Sequence, residues 1–277
     1  MITGGPGGGA LAVSFDLDGT LVTSPFAGVL HSVAAEIAAE TGKVAADVAA
    51  DILAEHERRL LADPYAAYDW ASIVAATAGR FGSRWSGSLV SRLEDALADP
   101  GVRVLHENTR ASLEALRATG CRVVLLTNGR GEFQVPVLRA AGLHDVFDDV
   151  VTSDAVGTAK PAPEMFGRAL GDRSRLVHVG DRLDHDIAGA AAVGAAGILL
   201  RPDTPGDGRV ATSGKGICLT DGRGGVGPDI SSYLLVRHRI EVRSPVGALP
   251  SCSVPDGVAR SLDAAVALIL ELQSAAL

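Results

Sequence analysis

The chain has 277 residues, 47% of them hydrophobic, and a formal net charge of −8. Its length suits one catalytic domain with a sizeable insertion or two modest domains, and its apolar content excludes the fully disordered and fibrous classes. The acidic balance, without a run of Lys and Arg, argues against a nucleic-acid partner.

The first predicted elements are a tail, a buried strand and a block of helices. Residues 1–10 are rich in Gly and contain no basic residue, so we expect a flexible tail and no signal peptide. Residues 11–15 form a short apolar run that ends at an acidic turn, which is typical of a buried parallel strand. Across residues 24–99 apolar residues recur every three or four positions, which predicts helices.

Strands and helices alternate after the helical block. We predict strands at 122–126, 150–151, 176–179 and 198–200, and helices at 109–119, 133–141, 163–170 and 187–193. Such alternation implies right-handed crossovers and a parallel sheet with helices on both faces. The sequence therefore predicts an α/β fold, a Rossmann-like three-layer sandwich formed by residues 11–23, 100–203 and 254–277.

Residues 204–253 interrupt this pattern with many Gly and Asp residues. They contain an apolar patch at 233–236 and an alternating segment at 239–242, from which we predict an insertion that forms a β-hairpin. The last segment, 254–272, predicts a helix that starts at Pro255-Asp256 and buries one apolar face.

The cysteines and the longest apolar run bear on the cellular location. Cys121, Cys218 and Cys252 are far apart and form no C-x-x-C pair, so neither a zinc site nor a disulfide framework is predicted. The longest apolar run, 189–200, is too short to span a bilayer. We therefore expect a cytoplasmic protein with reduced thiols and no membrane partner.

The end of the first predicted strand carries two carboxylates, Asp16 and Asp18, followed by Gly19. Residues two apart on an extended chain point to the same side, so the two carboxylates converge. Close carboxylates repel each other and favour a cation, and carboxyl oxygens suit Mg²⁺. Taken alone, the segment also fits an ordinary acidic turn.

Two further strand ends supply groups that suit an anion. Thr127, Asn128 and Gly129 offer a hydroxyl and backbone amides, which form a small anion cradle, although the same residues also make a plain turn. Lys160 precedes Pro161, which prevents helix at the lysine and holds its amine in a loop. A single Lys is more often a solvated surface residue.

The fourth strand end carries Asp181, with Asp186 five residues later at the start of a predicted helix. Both carboxylates could reach one metal ion, or they could belong to an isolated acidic loop. In open parallel sheets the active site lies outside the carboxyl ends of the strands, so all four groups of residues should meet.

The order and spacing of these four signals resemble the haloacid dehalogenase superfamily. The family's motifs match at Asp16 and Asp18, at Thr127, at Lys160, and at Asp181 and Asp186. The resemblance covers residues 11–202 and the final helix, and it implies that the helical block 24–99 is a cap domain of the helical (C1) type. The segment 204–253 is not typical of the family.

The resemblance implies a Mg²⁺-dependent phosphatase for a small-molecule phosphate ester. In such an enzyme Asp16 forms an aspartyl-phosphate, and Asp18 protonates the leaving group and later activates water. Mg²⁺ would be bound by Asp16, by Asp181 with Asp186, and by the backbone carbonyl of Asp18. The residues Thr127, Asn128 and Gly129 would hold phosphoryl oxygens, and Lys160 would neutralise the nucleophile. Asp18 favours phosphoryl transfer, because dehalogenases of the family lack an aspartate there.

The substrate must be selected elsewhere, and the cap is the expected place. The candidates for its mouth are Tyr65, Tyr68, Trp70, Arg80 and Trp85, although large aromatic residues on helices more often lie in a core. Two alternatives stay open: a phosphotransferase or sugar-phosphate mutase with the same motifs, and a non-catalytic binding protein. The latter is disfavoured because every motif residue is present. The oligomeric state is not indicated by the sequence.

Overall fold

The computed structural model describes residues 11–98, 102–213, 216–220, 225–243 and 248–274, so the predicted tail 1–10 lies outside the described residues. The strands are β1 (Leu11–Phe15), β2 (Val22–Thr23), β3 (Arg103–Val104), β4 (Arg122–Leu126), β5 (Asp149–Val151), β6 (Arg175–Gly180), β7 (Ala196–Leu200), β8 (Gly208–Ser213), β9 (Gly216–Thr220), β10 (Val226–Asp229) and β11 (Gly257–Ala259). The helices are α1 (Phe26–Thr41), α2 (Ala45–Ala62), α3 (Trp70–Phe81), α4 (Leu89–Ala98), α5 (Thr109–Ala118), α6 (Gly131–Ala140), α7 (Ser153–Val156), α8 (Pro163–Leu170), α9 (Ala188–Ala192), α10 (Ser231–Val242) and α11 (Leu262–Ser274).

The main sheet runs in the order β10-β9-β8-β11-β7-β6-β1-β4-β5 in the described part of the chain. The six strands from β11 to β5 are parallel, which confirms the predicted α/β fold, and β1 lies between β4 and β6. Because β1 is central, the residue that follows it lies between the ends of its two neighbours. This arrangement positions the site.

The two faces of β1 pack against different helices, as its alternating side chains require. Val13 and Phe15 belong to a core cluster that contains Leu113 of α5 and Ile269 of α11. Ala12 points to the other face, where it belongs to the cluster of Phe166 in α8. The sheet therefore forms the middle of three layers.

Helices α1 to α4 form the block that follows β1, as predicted for residues 24–99. Their inward faces carry Val33 of α1, Val48 and Ile52 of α2 and Ile73 of α3, all of them fully or almost fully buried. The chain leaves and re-enters the sandwich through β2 and β3, which pair antiparallel with each other. This short pair, which the sequence did not predict, fixes the base of the block beside the end of β1.

The insertion 204–253 differs from its prediction. A hairpin is present, but it consists of β8 and β9, and it extends the main sheet antiparallel to β11. The segments 233–236 and 239–242, predicted as strands, belong to helix α10 instead. Leu234 of this helix is fully buried in a cluster with Leu219 and Ile230. Leu234 is buried whereas Val236 is 54% exposed, so the polarity pattern of this segment is that of a helix and the predicted strands were wrong.

The segment after the insertion also differs from its prediction. Pro255-Asp256 does not start a helix, because residues 257–259 form β11 parallel to β7. The helix α11 begins only at Leu262. Among the described residues, no helix is both long and apolar enough to cross a membrane.

Candidate active site

Three neighbouring strands end at one point of the sheet edge. Asp16 follows β1, Thr127 follows β4 and Asp181 follows β6. Two backbone bonds continue the sheet past these ends, from Asp16 N to Val179 O at 2.9 Å and from Thr127 N to Val151 O at 3.0 Å. Asp16 and Thr127 therefore lie on backbone that is still hydrogen-bonded to the neighbouring strand of the sheet.

Lys160 is the positive centre of the site, and its side chain is 2% exposed. Its Nζ lies 2.7 Å from Asp16 Oδ1, 2.7 Å from Asp186 Oδ1 and 2.9 Å from the Leu126 carbonyl oxygen. These three acceptors match the three protons of the ammonium group. Burial alone would lower the pKa of Lys160, but Asp16 and Asp186 raise it above its ordinary value, so the amine stays charged.

Asp186 is fixed by donors on both of its oxygens. Besides Lys160, Oδ1 accepts from His178 Nε2 at 3.0 Å, and Oδ2 accepts from Arg182 N at 3.1 Å. Burial would raise the pKa of Asp186, but Lys160 and His178 outweigh it, and the net shift is downward. Ser14 Oγ lies 2.8 Å from His178 Nδ1, so the network assigns the Nε2-protonated tautomer.

Asp16, Asp181 and Asp186 each bring an oxygen within 4.8 Å of the others. Three ionised carboxylates beside the Lys160 ammonium and the Arg201 guanidinium, whose Nη1 lies 3.3 Å from Asp181 Oδ2, leave a net charge of −1. Burial, followed by repulsion from Asp16 and Asp186, raises the pKa of Asp181 to about 8. Oxygen ligands and unbalanced negative charge fit a divalent cation. The carboxylate of Asp18, which the sequence placed near the metal, lies outside this cluster.

Gly19 and Gly180 make room for these carboxylates. Gly19 has φ of +85°, and a Cβ there would approach Asp181 Oδ2 to 2.9 Å. A Cβ on Gly180 would overlap the carboxylate of Asp186. Both positions must therefore lack a side chain for the carboxylates to converge.

The side chain of Gln134 in α6 joins the predicted anion cradle to Asp18. Its Oε1 accepts from Thr127 Oγ1 at 3.1 Å, and its Nε2 donates to Asp18 Oδ2 at 3.1 Å. Gly129 N in turn donates to Thr127 Oγ1 at 3.2 Å. Burial raises the pKa of Asp18, and the bond from Gln134 only partly opposes this effect. Gln134 could not be identified from the sequence, because its contact with Asp18 spans 116 positions.

A chamber of about 500 Å³ opens above the carboxylates and extends under the helical block. Trp70 and Tyr68 line it, as the sequence suggested. Tyr65 does not, since its ring packs 5.5 Å from the Arg130 guanidinium. Arg80 does not either, because its Nε lies 2.9 Å from Asp51 Oδ2, within the block.

Trp85 also belongs to the interior of the block, where its Nε1 donates to Glu36 Oε2 at 3.0 Å. Two of the five candidates for the mouth, Tyr68 and Trp70, therefore face the chamber. The prediction failed for the others because helical periodicity does not distinguish the face toward a ligand from a face toward another helix.

The motif spacing and the geometry agree with comparisons to known proteins. A family model for haloacid dehalogenase-like hydrolases matches residues 11–194. A phosphoglycolate phosphatase from Caulobacter vibrioides is 30% identical over 195 residues, which cover 68% of this chain and 78% of that protein. A ribulose-1,5-bisphosphate 5-phosphatase from Halopiger xanaduensis is 38% identical over 104 residues, which cover 36% of this chain and 44% of that protein. The chain therefore spans less than half the length of this second relative.

Solved structures show the same architecture. A HAD phosphatase from Thermococcus onnurineus superposes with a TM-score of 0.57 at 29% identity, over 69% of this chain and 86% of that one. An L-2-haloacid dehalogenase from Xanthobacter autotrophicus gives a TM-score of 0.54 at 18% identity, over 94% of this chain and 98% of that one. At such low identity the dehalogenase shares the fold, and its activity does not transfer.

Proposed function

We propose that this chain, which belongs to the haloacid dehalogenase-like hydrolase family, is a Mg²⁺-dependent phosphatase that hydrolyses a small-molecule phosphate monoester through an aspartyl-phosphate. The observation that carries the proposal is the placement of Asp16. One of its oxygens lies 2.7 Å from the Lys160 ammonium, and the other accepts from Thr20 Oγ1 at 3.1 Å. A carboxylate held in one orientation at the floor of a chamber is a suitable nucleophile.

The chemistry assigned to Asp16 is in-line attack on phosphorus. The bond to the leaving oxygen breaks as the bond to the Asp16 carboxylate forms, and Lys160 offsets the charge of the two anions. Thr127 Oγ1 and the Gly129 amide lie beside this point and can hold phosphoryl oxygens. Mg²⁺, held by Asp16, Asp181 and Asp186, would supply further neutralisation of the phosphoryl charge.

Asp18 is assigned the proton transfers. Burial raises its pKa, which favours the protonated form that a general acid needs, and Gln134 orients its carboxyl group. The proton passes to the leaving alkoxide in the first step. In the second step Asp18 takes a proton from the water that hydrolyses the aspartyl-phosphate. A dehalogenase would need no such acid, because halide leaves without a proton.

The activities of similar proteins support an ester of phosphoric acid as the substrate. They include phosphatases for phosphoglycolate, ribulose-1,5-bisphosphate and glyceraldehyde 3-phosphate. These compounds share a phosphate monoester on a small organic molecule.

The decisive experiment measures Mg²⁺-dependent phosphate release from a panel of monoesters with wild type and Asp16→Asn. We expect release by wild type alone, and a phosphorylated Asp16 peptide after acid quenching. Full activity of Asp16→Asn would exclude the assigned nucleophile. Transfer of phosphate to an added sugar without release of free phosphate would identify a phosphotransferase or mutase instead.

A further inference from the structure

Part of the chamber lining is apolar. It includes Phe26, Leu30, Leu53, Tyr68 and Trp70. The Phe26 ring contacts the Trp70 ring edge-on with centroids 5.6 Å apart, so these two residues form a continuous aromatic surface. Leu53 is 48% exposed beside it, in a position to contact a bound molecule.

The basic side chains that line the chamber within the described part of the chain are already paired. Lys160 is bound by two carboxylates, as described above. Both nitrogens at one edge of the Arg182 guanidinium donate to Asp184, at 3.0 and 2.7 Å. Asp184 Oδ2 also lies 3.7 Å from His185 Nε2. A second phosphate or carboxylate on the substrate would therefore find no unpaired cation among the described residues that line the chamber.

We infer that the preferred substrate is a monophosphate whose leaving group is uncharged and carries a flat ring, such as a nucleoside. The inference rests on the proposed phosphatase function and adds the chemical class of the leaving group. The aromatic surface would contact the ring, and the absence of an unpaired cation disfavours small esters with a second anionic group. Stacking and burial of one ring are together sufficient for about a tenfold preference.

The test compares two esters that differ only in the ring. One is thymidine 5′-monophosphate, and the other is the methyl 2-deoxyribofuranoside 5-phosphate, in which a methoxy group replaces the base. Phosphoglycolate is the third substrate, as the small ester with a second anionic group. We expect kcat/KM to be about tenfold higher for the nucleotide than for either of the others.

Leu53→Ala should reduce this preference several-fold by lowering kcat/KM for the nucleotide only. Leu61→Ala is the matched control, because Leu61 lies on the same helix α2, is 92% exposed and does not line the chamber. Equal kcat/KM for the two deoxyribosides, or a preference for phosphoglycolate, would overturn the inference and leave the phosphatase function intact. Failure to release phosphate from any ester would instead contradict the proposed function.

A second inference comes from the insertion. The turn Leu183–Ile187, which carries Asp186, begins with backbone amides that the preceding Arg182 side chain does not cap. Glu241 of α10, which is 58 residues away in the sequence, caps these amides instead. Its Oε2 accepts from Leu183 N at 2.7 Å and from Asp184 N at 3.3 Å. A carboxylate at the first amides of a helical turn satisfies groups that would otherwise lack partners.

Packing attaches α10 firmly to the same turn. Leu183 and Ile187 of the turn lie in one buried cluster with Leu219, Ile230 and Leu234 of the insertion. The Glu241 side chain is itself only 2% exposed. The conformation of the turn decides where the Asp186 carboxylate points, because Arg182 N and Asp186 Oδ2 close the turn on itself at 3.1 Å.

We propose that the insertion serves the active site and that Glu241 is a positioning residue for the divalent cation. It acts by holding the turn between Asp181 and Asp186, and it touches neither the metal nor the substrate. Residues that orient metal ligands in this way typically contribute about 10- to 100-fold to metal affinity.

Calorimetric titration of the full chain with Mg²⁺ tests the proposal without relying on turnover. Glu241→Ala should weaken Mg²⁺ binding about tenfold. Glu241→Gln should restore most of it, because the amide oxygen can accept from the same two amides. If the alanine variant does not fold, Glu241→Met fills the volume without an acceptor and should show the same loss.

The matched control is Glu57→Gln, which breaks the contact of Arg243, just beyond α10, with helix α2 and leaves the turn untouched. It should bind Mg²⁺ as tightly as wild type. Wild-type Mg²⁺ affinity in a folded Glu241→Ala or Glu241→Met variant would overturn the proposal. A loss in Glu241→Gln as large as in Glu241→Ala would also contradict it, because the capping oxygen is still present.

Discussion

Asn128 holds the backbone of Lys160 through both atoms of its side-chain amide. Oδ1 accepts from Lys160 N at 2.6 Å, and Nδ2 donates to Lys160 O at 3.1 Å. The same Nδ2 also donates to the hydroxyl of Tyr68, in the helical block, at 3.0 Å. The Asn128 side chain therefore connects the loop after β4 with the lysine and with the helical block, and the phosphate contact predicted for the backbone amide of Asn128 stays a prediction.

Removal of the hydrogen bonds from the Asn128 side chain to the Lys160 backbone should impair catalysis more than folding. We expect Asn128→Ala to lower kcat by about 100-fold, because displacements near 1 Å at reacting groups have effects of that order. Steady-state kinetics with saturating Mg²⁺ would measure it. Asn108→Ala is the control, since Asn108 precedes α5 without a side-chain cap bond and should leave kcat unchanged. A wild-type kcat in Asn128→Ala would mean that Lys160 keeps its position without the hydrogen bonds from the Asn128 side chain.

Gly180→Ala should abolish activity and weaken Mg²⁺ binding, because the added methyl group would displace the Asp186 carboxylate. The comparison variant is Gly79→Ala in helix α3, where a Cβ meets nothing within 4 Å. That substitution should stabilise the protein by about 0.5–1 kcal/mol, as Gly-to-Ala changes in open helical positions do. Thermal unfolding and Mg²⁺ titration of both variants test the pair, and unaltered Mg²⁺ binding by Gly180→Ala would contradict the placement of Asp186.

The pKa of Asp181 predicts how pH and Mg²⁺ are linked. Its folded value of about 8 lies above the reference value of 3.8, so between these values the metal-free native state binds more protons than the unfolded state. The free energy of unfolding without metal should therefore fall as pH rises through this window. Since the cation must displace that proton, Mg²⁺ affinity should rise at least about tenfold from pH 6 to pH 8.

Calorimetry in buffers of different ionisation enthalpy would detect the released proton. Asp181→Asn should show neither the proton release nor the pH dependence. Equal Mg²⁺ affinity of wild type at pH 6 and pH 8 would show that Asp181 is ionised before the metal binds.

Asp18→Asn should lower kcat by about 100- to 10,000-fold for an alkyl phosphate, the range of general acid catalysis. The loss should be much smaller for p-nitrophenyl phosphate, because nitrophenolate leaves readily without a proton. The ratio of the two losses is measured with one enzyme preparation. An equal loss for both esters would assign Asp18 a role other than protonation of the leaving group.

Arg80→Ala should leave kcat and KM unchanged for every substrate. The guanidinium binds Asp51 and lies 3.1 Å from Glu55 Oε2, within the helical block. Because Arg80 is 37% exposed, we expect a stability loss of no more than about 1 kcal/mol. A changed KM would mean that the helical block rearranges when substrate binds.

The sequence predicted those parts of the site that depend on order along the chain. Asp16 and Asp181 follow strands that are neighbours in the parallel sheet, and Lys160 lies in the loop between α7 and α8, where Pro161 indicated a loop position for its amine. His178, Gln134 and Glu241 could not be found in this way, because each acts through a contact that depends on side-chain direction or on a distant segment. His178 reads as an ordinary strand residue, and its bond to Asp186 requires the turn at 183–187.

The fold prediction failed where local periodicity was ambiguous. Residues 239–242 alternate in polarity, which fits a strand, yet the helix α10 also places Leu234 and His238 on one buried face. Residues 257–259 are too few to show a strand pattern. They form a strand because they pair with the edge of β7. In both cases tertiary contacts decided between conformations that the local sequence allows.

The hairpin that the insertion adds to the sheet has a consequence for contacts between molecules. Without the hairpin the sheet would end at β11, and the amides and carbonyls on the free side of β11 would be open to other chains. In the described part of the chain the outermost strand on that side is β10 instead, and it contains Pro228, which has no amide hydrogen to donate. The opposite border is β5, with three residues. Both borders are therefore poor templates for a further strand, which protects this large sheet from aggregation by edge pairing.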